Sequence, residues 1–469
     1  MDAASMAAGL KQSGRNYSPW IAVFNMCNAA IGSGVLSFPY AFRQTGVFGG
    51  LFYTGIIWLV EVGALLLLIR TAEKYKTKSY QDLVVALFGP SMAIVTSITI
   101  LVFLGGSLVS YFIITGDVFE PIFTDWFGEN SLFADRRVVI VLFATLVVLP
   151  LSLKRSLQDL KWSSTISVTM LTYLTVTLGI IGVAKFLQEG IPQQVNFFRG
   201  GMHALIGVDI VVFSFHCHIQ VMPIFAELAD EPNPFFHEGW NWGLREPLLS
   251  TENEAPILQK GSSRVKCMDG VILISMTTCF IGYCLVGEFG YLLFPDVESD
   301  LLKSFGSSNP FINFSRIGMA VVSMVCYPVC HYPCRTILDD ATRYVLQGRI
   351  KEGFSWSLHV ILTLVLCGAA LGTSLLTSDL GTVFSIVGST GGVLVVFIIP
   401  GLILIHNKLG EHRLPVLQDT EAPLHGEEVV HPRNRVKYIR IVGGCVLMCF
   451  GFLIFLITAY ITVKGKENV

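Results

Sequence analysis

The amino-acid sequence predicts an all-α polytopic membrane protein with eleven transmembrane helices, and composition and hydropathy carry that prediction. Of the 469 residues, 52% are hydrophobic and only 14% are charged, whereas soluble globular proteins carry about 25% charged residues. Eleven apolar stretches reach the roughly 20 residues that a helix needs to cross a bilayer. These stretches, numbered here as segments 1 to 11, centre near Asn28, Trp58, Leu104, Phe143, Thr175, Val212, Cys279, Val322, Leu364, Val395 and Leu453.

The distribution of lysine and arginine predicts the orientation of the chain. With a cytoplasmic N-terminus, 23 of the 32 basic residues fall in cytoplasmic regions, as the positive-inside rule requires. We therefore expect a cytoplasmic tail over residues 1–19, a transmembrane domain over 20–463, and a C-terminal tail over 464–469 on the opposite side. Two loops, at about 230–266 and 406–437, are rich in Pro, Glu, Asn and Ser and are expected to be flexible and cytoplasmic.

Charge and motif content exclude several other classes of protein. The net charge of −2 offers no basic surface to nucleic acid. The sequence shows no paired carboxylates, nucleophile motif or metal-ligand spacing, so we predict that the chain is not an enzyme and holds no cofactor or metal. Nearly all of the eleven cysteines lie in apolar stretches, which indicates packing and not a disulfide framework.

Segment 1 contains a helix-breaking sequence in its middle. Gly32 and Gly34 each cost about 1 kcal/mol relative to alanine in a helix interior, and Ser33 lies between them. An opened turn would free the N–H groups of Ser33, Gly34 and Val35 at the positive end of a second half-helix, a site suited to a carboxylate. Small residues can also serve close helix packing. Asn28, one turn earlier, favours a functional role because an amide in the bilayer needs a partner.

Segment 6 carries a serine, two histidines and a glutamine in mid-span. Polar residues at this depth are costly and usually functional. Opened carbonyls near Phe213 and Ser214 would bind an ammonium group, and Phe213 and Phe215 could cover the substrate. A metal site at His216 and His218 is disfavoured because residues two apart point away from each other on a helix. Together the two segments predict the broken helices and central binding site of a secondary transporter.

The sequence around these breaks resembles the sodium-coupled neutral amino acid transporters of the amino acid/auxin permease superfamily. The similarity runs in order from about residue 20 to about residue 405. Its pieces are FNMCNAAIGSGVLSFPYAF at 24–42, SYFIITGD at 110–117, PLSLKRSLQDL at 150–160, FSFHCHIQVMPIFAEL at 213–228, YPVCHYPCR at 327–335 and FSIVGSTGGVLVVFIIPGL at 384–402. The resemblance implies two inverted repeats of five helices, an eleventh helix, and ion-driven transport of neutral, often glutamine-like, α-amino acids.

The resemblance also implies a sodium site, at which this sequence departs from the family. Asn28 matches the family's asparagine of segment 1, but Cys326 stands where the family has a threonine in segment 8. Thiol sulfur is a poor ligand for a hard cation, and Ser323, nearly one turn earlier, could substitute in part. Sodium and protons therefore both stay open as the coupling ion.

Protons could be carried by buried acids. Glu61, Asp209 and Glu288 lie within or beside apolar segments, where a carboxyl is costly unless protonated or paired. We expect Glu61 or Asp209 to couple transport to protons, with His216 or His218 as a relay. The alternative for each acid is a structural hydrogen bond or a position at the membrane interface.

The sequence thus predicts a set of binding residues and leaves some alternatives open. The substrate set is Asn28, Ile31, Gly32, Ser33, Gly34, Phe213, Ser214 and Phe215, and the ion set is Asn28, Ile31, Ser323, Cys326, Glu61, Asp209 and His216. An amino-acid sensor with little flux is the alternative function. The expected partners are an amino acid and the lipid bilayer, either of the plasma membrane or of the lysosome or vacuole; no nucleic acid is expected, and no protein partner is predicted.

Overall fold

The computed structural model describes residues 18–154, 161–228, 263–305, 309–346, 354–409 and 432–464. Every secondary-structure element in these ranges is a helix. Most of the two predicted cytoplasmic loops and nearly all of both predicted tails lie outside the described residues. Segment 7 begins at Ser263, a few residues inside the range expected for the first loop.

Seven of the predicted segments are single helices, which confirms them as elements. Segments 2, 3, 5, 7, 8, 9 and 11 occupy Val47–Tyr75, Pro90–Phe127, Lys161–Glu189, Ser263–Leu293, Pro310–Leu346, Phe354–Leu376 and Pro432–Lys464. A shorter helix, Tyr80–Phe88, connects segments 2 and 3. Its first turn is capped by the Ser79 hydroxyl, which accepts a hydrogen bond from the Asp82 N–H, as is usual for a serine at this position.

Segments 1 and 6 are broken helices, as predicted. Segment 1 consists of Pro19–Ala30, the 3₁₀ turn Ser33–Ser37 and Phe38–Thr45, and its two halves are bent by 49°. Segment 6 consists of Met202–Phe215 and His218–Glu227.

Segments 4 and 10 contain π-helical turns. Segment 4 runs as Arg136–Phe143, the π-turn Ala144–Val148 and Leu149–Ser152. Segment 10 runs as Leu380–Val387, two π-turns at Gly388–Gly392 and Leu394–Ile398, and Ile399–Leu409. Single π-turns inside α-helices concentrate at functional sites.

The described residues contain nine helices long and apolar enough to cross a membrane, or ten when the bent pair of segment 1 is counted as one span. Segment 4 is the difference from the expected eleven. Its described pieces of 8, 5 and 4 residues span about 25 Å at 1.5 Å per residue, less than the roughly 30 Å of a hydrocarbon core. The count of eleven stays a prediction.

Apolar side chains cover both the interior and the outer surface of the bundle, as expected of an integral membrane protein. On segment 3, Ile94, Ile98 and Val102 are 62%, 57% and 47% exposed and form one stripe at a spacing of four residues. The opposite face, which includes Ile100 and Phe103, is buried. Segment 8 packs along segment 3, segment 7 packs against segments 1, 2 and 5, and segment 11 lies outside, against segment 10.

An ionic cluster closes the end of the bundle that carries the loop 294–305. The buried Asp117 carboxylate accepts hydrogen bonds from Arg136 at 2.6 Å and pairs with Lys303 at 2.9 Å. Next to this cluster, Asp300 caps the 3₁₀ turn Leu301–Ser304 by accepting the Leu302 N–H. Burial, and secondarily the negative charge of Asp117, raises the pKa of the Asp300 carboxyl to about 7. The loop is thereby fixed to segments 3 and 4.

Candidate substrate and ion site

The break in segment 1 lies at the predicted position. The helix ends at Ala30, the Ile31 N–H donates to Cys27 O at 2.6 Å, and the Gly32 N–H turns back to Ala30 O at 2.8 Å. The second half begins at Ser33, two residues earlier than the expected Val35, because a 3₁₀ turn precedes the α-helix. The first N–H groups of a helix have no intrahelical acceptor, so they are available to a ligand.

The break in segment 6 lies at His216 and Cys217. The first half ends at Phe215, and the backbone is extended at His216, with a ψ of 112°. Cys217 precedes the second half, which begins at His218. The last carbonyls of the first half, including that of Ser214, therefore have no downstream N–H in the same helix.

The two breaks are in direct contact. A Cβ built on Gly34 would lie 2.7 Å from Cβ and 3.0 Å from Cα of Ser214, and closer still to its hydroxyl. Real Cβ atoms essentially never approach other atoms within 3.0 Å, so only glycine allows this contact. A Cβ on Gly32 would lie 3.1 Å from the hydroxyl of Tyr111 in segment 3.

Hydroxyl groups of two neighbouring helices contact segment 1 at its break. The Ser33 and Ser110 hydroxyls are 2.6 Å apart and buried. The Tyr283 hydroxyl of segment 7 lies 2.7 Å from Ala30 O and 3.3 Å from Ser214 O. It therefore bridges the carbonyl ends of both broken helices.

Sequence reasoning missed Tyr283, Tyr111 and Ser110. The signal for Tyr283 was available, because a tyrosine in the middle of an apolar span needs an acceptor for its O–H. Its partners could not be assigned, since they are backbone carbonyls of residues 253 and 69 positions away.

The two phenylalanines predicted to cover the substrate lie on different sides of segment 6. Phe215 packs edge-to-face against Phe38 and Tyr283, beside the second half of segment 1. Phe213 stacks on Phe384 of segment 10 with ring centroids 4.3 Å apart. The structure therefore brings Phe215 next to the second half of segment 1 and Phe213 next to segment 10.

The residues of the predicted sodium site do come together. Cys326 Sγ lies 3.5 Å from Asn28 Oδ1, and Asn28 Nδ2 donates to Ser163 Oγ at 3.3 Å. The Ser167 hydroxyl lies 3.5 Å from the Cys326 sulfur. Sequence reasoning missed both serines of segment 5.

Ser323 and Ile31 have different surroundings from those expected. Ser323 donates to Met319 O of its own helix at 2.9 Å, so its hydroxyl proton is already used within segment 8. Ile31 is fully buried at the break; its main chain, and not its apolar side chain, has the polar atoms that a ligand could use.

The buried acids lie in two different environments. Glu61 Oε2 is 3.3 Å from His218 Nδ1, and both side chains are fully buried. Asp209 instead accepts hydrogen bonds from Thr458 at 2.6 Å and Ser385 at 3.2 Å. His216 lies with its ring 4.0 Å from that of Phe103 and stacked on His218.

One cavity in the described part of the chain lies away from the two helix breaks. A cavity of about 680 Å³ opens near the ionic cluster, between Glu120, residues 129–137 and residues 375–378. None of its lining residues belongs to segments 1 or 6. Within the described ranges, no group of three or more His, Cys, Asp or Glu side chains is arranged to hold a metal.

Comparison with known proteins finds one matching family and relatives that are named as amino acid transporters. A family described as "Transmembrane amino acid transporter protein" matches residues 15–240 and 258–412. The chain is 25% identical to sodium-coupled neutral amino acid transporter 7 of Danio rerio, over 83% of this chain and 79% of that protein. It is 26% identical to putative sodium-coupled neutral amino acid transporter 11 of Mus musculus, over 99% and 91%. It is 25% identical to amino acid transporter AVT6E of Arabidopsis thaliana, over 84% and 77%.

Similarity to solved structures concerns the fold. A crystal structure of the Eremococcus coleocola manganese transporter matches with a TM-score of 0.52 and 11% identity, over 97% of this chain and 90% of that one. At this identity the match supports a shared transporter architecture and carries no information about substrate.

Proposed function

The chain belongs to the transmembrane amino acid transporter family, and from that premise we propose that it is a secondary active transporter of neutral α-amino acids that works by alternating access. The resemblance to the sodium-coupled neutral amino acid transporters is confirmed by the relatives. These relatives are named as transporters, so the chain is a membrane transporter and not an enzyme.

The observation that carries the proposal is the contact of the two helix breaks at Gly34 and Ser214. On one side of this contact, the start of the 3₁₀ turn at Ser33 offers N–H groups and a positive dipole end to an α-carboxylate. On the other side, Ala30 O and Ser214 O offer two acceptors to an α-ammonium group. A free amino acid carries these two groups one carbon apart.

Tyr283 has a specific place in this proposal. Its hydroxyl lies within hydrogen-bond distance of the carbonyls of Ala30 and Ser214, and Ala30 O also accepts the Gly32 N–H. One hydroxyl donates one hydrogen, whereas an ammonium group donates three. Substrate binding therefore satisfies both carbonyls at once, which stabilises the state in which the two breaks face each other.

A cation drives the cycle in this proposal. The names of two relatives include sodium coupling, and the Asn28, Ser163 and Ser167 oxygens around Cys326 are the matching location here. Sodium prefers hard oxygen ligands, and the thiol removes one of them. Sodium coupling here would be weak, and protons are the second candidate ion.

The charge distribution supports an orientation and leaves the membrane open. We propose a cytoplasmic N-terminus, because 23 of 32 basic residues then lie on the cytoplasmic side. With eleven spans the C-terminus lies on the opposite side. The membrane is either the plasma membrane or that of the lysosome or vacuole.

The test is uptake by the purified full chain in proteoliposomes. A panel of labelled amino acids is offered with sodium or with an organic cation outside, at two pH values. We expect saturable uptake of neutral α-amino acids, and none of analogues that lack the carboxylate or the amine. Binding without flux would identify a sensor, and uptake of an analogue without its carboxylate would contradict the proposed site.

A further inference from the structure

We propose that Glu61 and His218 form the proton-binding site through which this protein couples amino acid transport to a proton gradient, an inference that rests on the proposed transport function. The two residues come from different elements, segment 2 and the second half of segment 6. The sequence left Glu61 and Asp209 open as the proton carrier, and this pairing selects Glu61.

The geometry isolates the pair from water and from other charges. Both side chains have no exposed surface, and Glu61 Oε2 lies 3.3 Å from His218 Nδ1 without the alignment of a full hydrogen bond. Among the described residues, His218 is the one side chain that forms an ion pair with Glu61. No arginine or lysine among these residues pairs with the Glu61 carboxylate, whereas the Asp117 carboxylate pairs with Arg136 and Lys303.

The proton content of such a pair is fixed by its burial. With one shared proton the pair has no net charge, whether as carboxylate and imidazolium or as two neutral groups. Losing that proton leaves one buried negative charge, and gaining a second leaves one positive charge. Either change leaves an uncompensated charge in an apolar interior, which is strongly unfavourable. A closed transporter therefore holds one proton, which it can release only where water reaches the pair.

The neighbouring elements do not supply a compensating charge. His216 stacks on His218 with ring centroids 5.3 Å apart, and Cys217 interacts electrostatically with Glu61. On segment 2, the helix that carries Glu61, Arg70 is paired with Asp269. The charged side chains of segments 1 and 7 and of the short helix before segment 3 are Arg43, Asp82, Arg264, Lys266, Asp269 and Glu288. Among the described residues, none of them forms an ion pair with Glu61 or His218. These elements also carry buried thiols and hydroxyls, which include Cys27, Tyr80, Cys279 and Tyr283.

A polar stripe leads along segment 2 to the pair. Thr54, Trp58 and Glu61 lie at spacings of four and three residues, on one helix face. The Thr54 hydroxyl and the Trp58 indole N–H are buried and have no hydrogen-bond partner among the described residues. In this proposal the stripe is the polar route along segment 2 by which a proton reaches Glu61.

The pair also touches the moving part of the proposed mechanism. His218 is the first residue of the second half of segment 6, immediately after the break. Protonation therefore changes the charge at the hinge of the helix whose carbonyls would bind the substrate amine. Asp209 has no such position, since its carboxylate already accepts two hydroxyl hydrogen bonds from segments 10 and 11.

The experiment separates proton movement from amino acid movement. Purified wild type and Glu61→Gln are reconstituted into liposomes that contain a pH-sensitive dye, and L-alanine or L-glutamine is added outside. Exchange of labelled against unlabelled amino acid is measured in parallel, since exchange needs no net proton movement. Glu288→Gln is the matched control, because Glu288 is a half-buried carboxyl in segment 7 with no ion-pair partner among the described residues.

In wild type and Glu288→Gln we expect substrate addition to acidify the lumen. In Glu61→Gln the acidification should fall at least about tenfold, because an amide cannot carry the proton, while exchange persists. Wild-type exchange without acidification, or undiminished acidification in Glu61→Gln, would overturn the proton site and leave the transport proposal intact. If Glu61→Gln does not exchange amino acids, the Glu61→Asp variant is measured instead. Proton-coupled uptake by Glu61→Asp with a displaced pH midpoint supports the proton site. Loss of both acidification and exchange in Glu61→Asp assigns a structural role to the carboxyl and overturns the proton site.

Discussion

Replacing Gly34 with alanine adds one methyl group at the point where the two broken helices touch. Its Cβ would lie 2.7 Å from Ser214 Cβ and 3.0 Å from Ser214 Cα. The serine hydroxyl can rotate away, but the other two atoms move only with the backbone of segment 6. The substitution therefore forces the two breaks apart in the packing seen here.

The free-energy cost of Gly34→Ala can be taken from substitutions that insert a methyl group into a packed protein interior. Inserting a methyl group into a packed interior costs about 1–3 kcal/mol, which corresponds to about a 5- to 150-fold loss of the closed arrangement relative to states in which the breaks are separated. Because every transport cycle passes through a closed state, we expect the exchange rate of Gly34→Ala to be about 5- to 150-fold lower than that of wild type.

The assay is exchange of labelled amino acid in proteoliposomes, with thermal melting in detergent to confirm folding. Gly63→Ala is the matched control, because a Cβ there meets no atom within 4 Å, and it should exchange like wild type. The double variant Gly34→Ala with Ser214→Gly should regain part of the activity, since it removes the serine Cβ and hydroxyl. Wild-type exchange by Gly34→Ala alone would refute the contact.

Three further outcomes are expected. Tyr283→Phe removes a hydrogen bond worth about 0.5–1.5 kcal/mol, so exchange should slow about 2- to 10-fold with little change in melting temperature; an unchanged rate would contradict the bridging role. Burial raises the pKa of Asp300 to about 7 from an ordinary value of 3.8, so the folded state holds a proton that stabilises it at low pH and is lost as pH rises through about 7. Wild-type melting temperature should therefore decline between about pH 4 and pH 7 and level off above that, and Asp300→Asn should flatten the decline. Cys326→Thr offers a hard oxygen beside Asn28 and should lower the sodium concentration for half-maximal uptake about tenfold, equivalent to about 1.4 kcal/mol; an unaltered sodium titration would argue against a sodium site there.

The sequence was most informative where local chemistry decides structure. Gly32 and Gly34 predict a break in segment 1 without reference to any other residue, because the helix cost is local. The break in segment 6 likewise follows from the clustered polar residues around His216. The resemblance placed Asn28 and Cys326 in one ion site, which stays a prediction, and the structure places their polar atoms 3.5 Å apart.

Long-range contacts account for what could not be predicted. Ser163 and Ser167 lie in segment 5 among many other serines and threonines, and nothing local distinguishes the two that face Cys326. Phe213 and Phe215 point to different sides because a helix turns about 100° per residue, but the stacking of Phe213 on Phe384 depends on where segment 10 lies. Partners of Glu61 and Asp209 depend on how segments 2, 6, 10 and 11 are arranged in space.

The two π-turns of segment 10 have a consequence for scanning mutagenesis. Each π-turn holds one residue more than the α-turn it replaces, which advances the following side chains by about 100° around the helix axis. After Gly388–Gly392 and Leu394–Ile398 the phase has moved by about 200°, so a helical wheel aligned on residues 380–387 assigns the lipid-facing and inward-facing sides of residues 399–409 the wrong way round. A scan of segment 10 by cysteine or tryptophan substitution should therefore show two accessibility periodicities of nearly opposite phase, which meet at the π-turns.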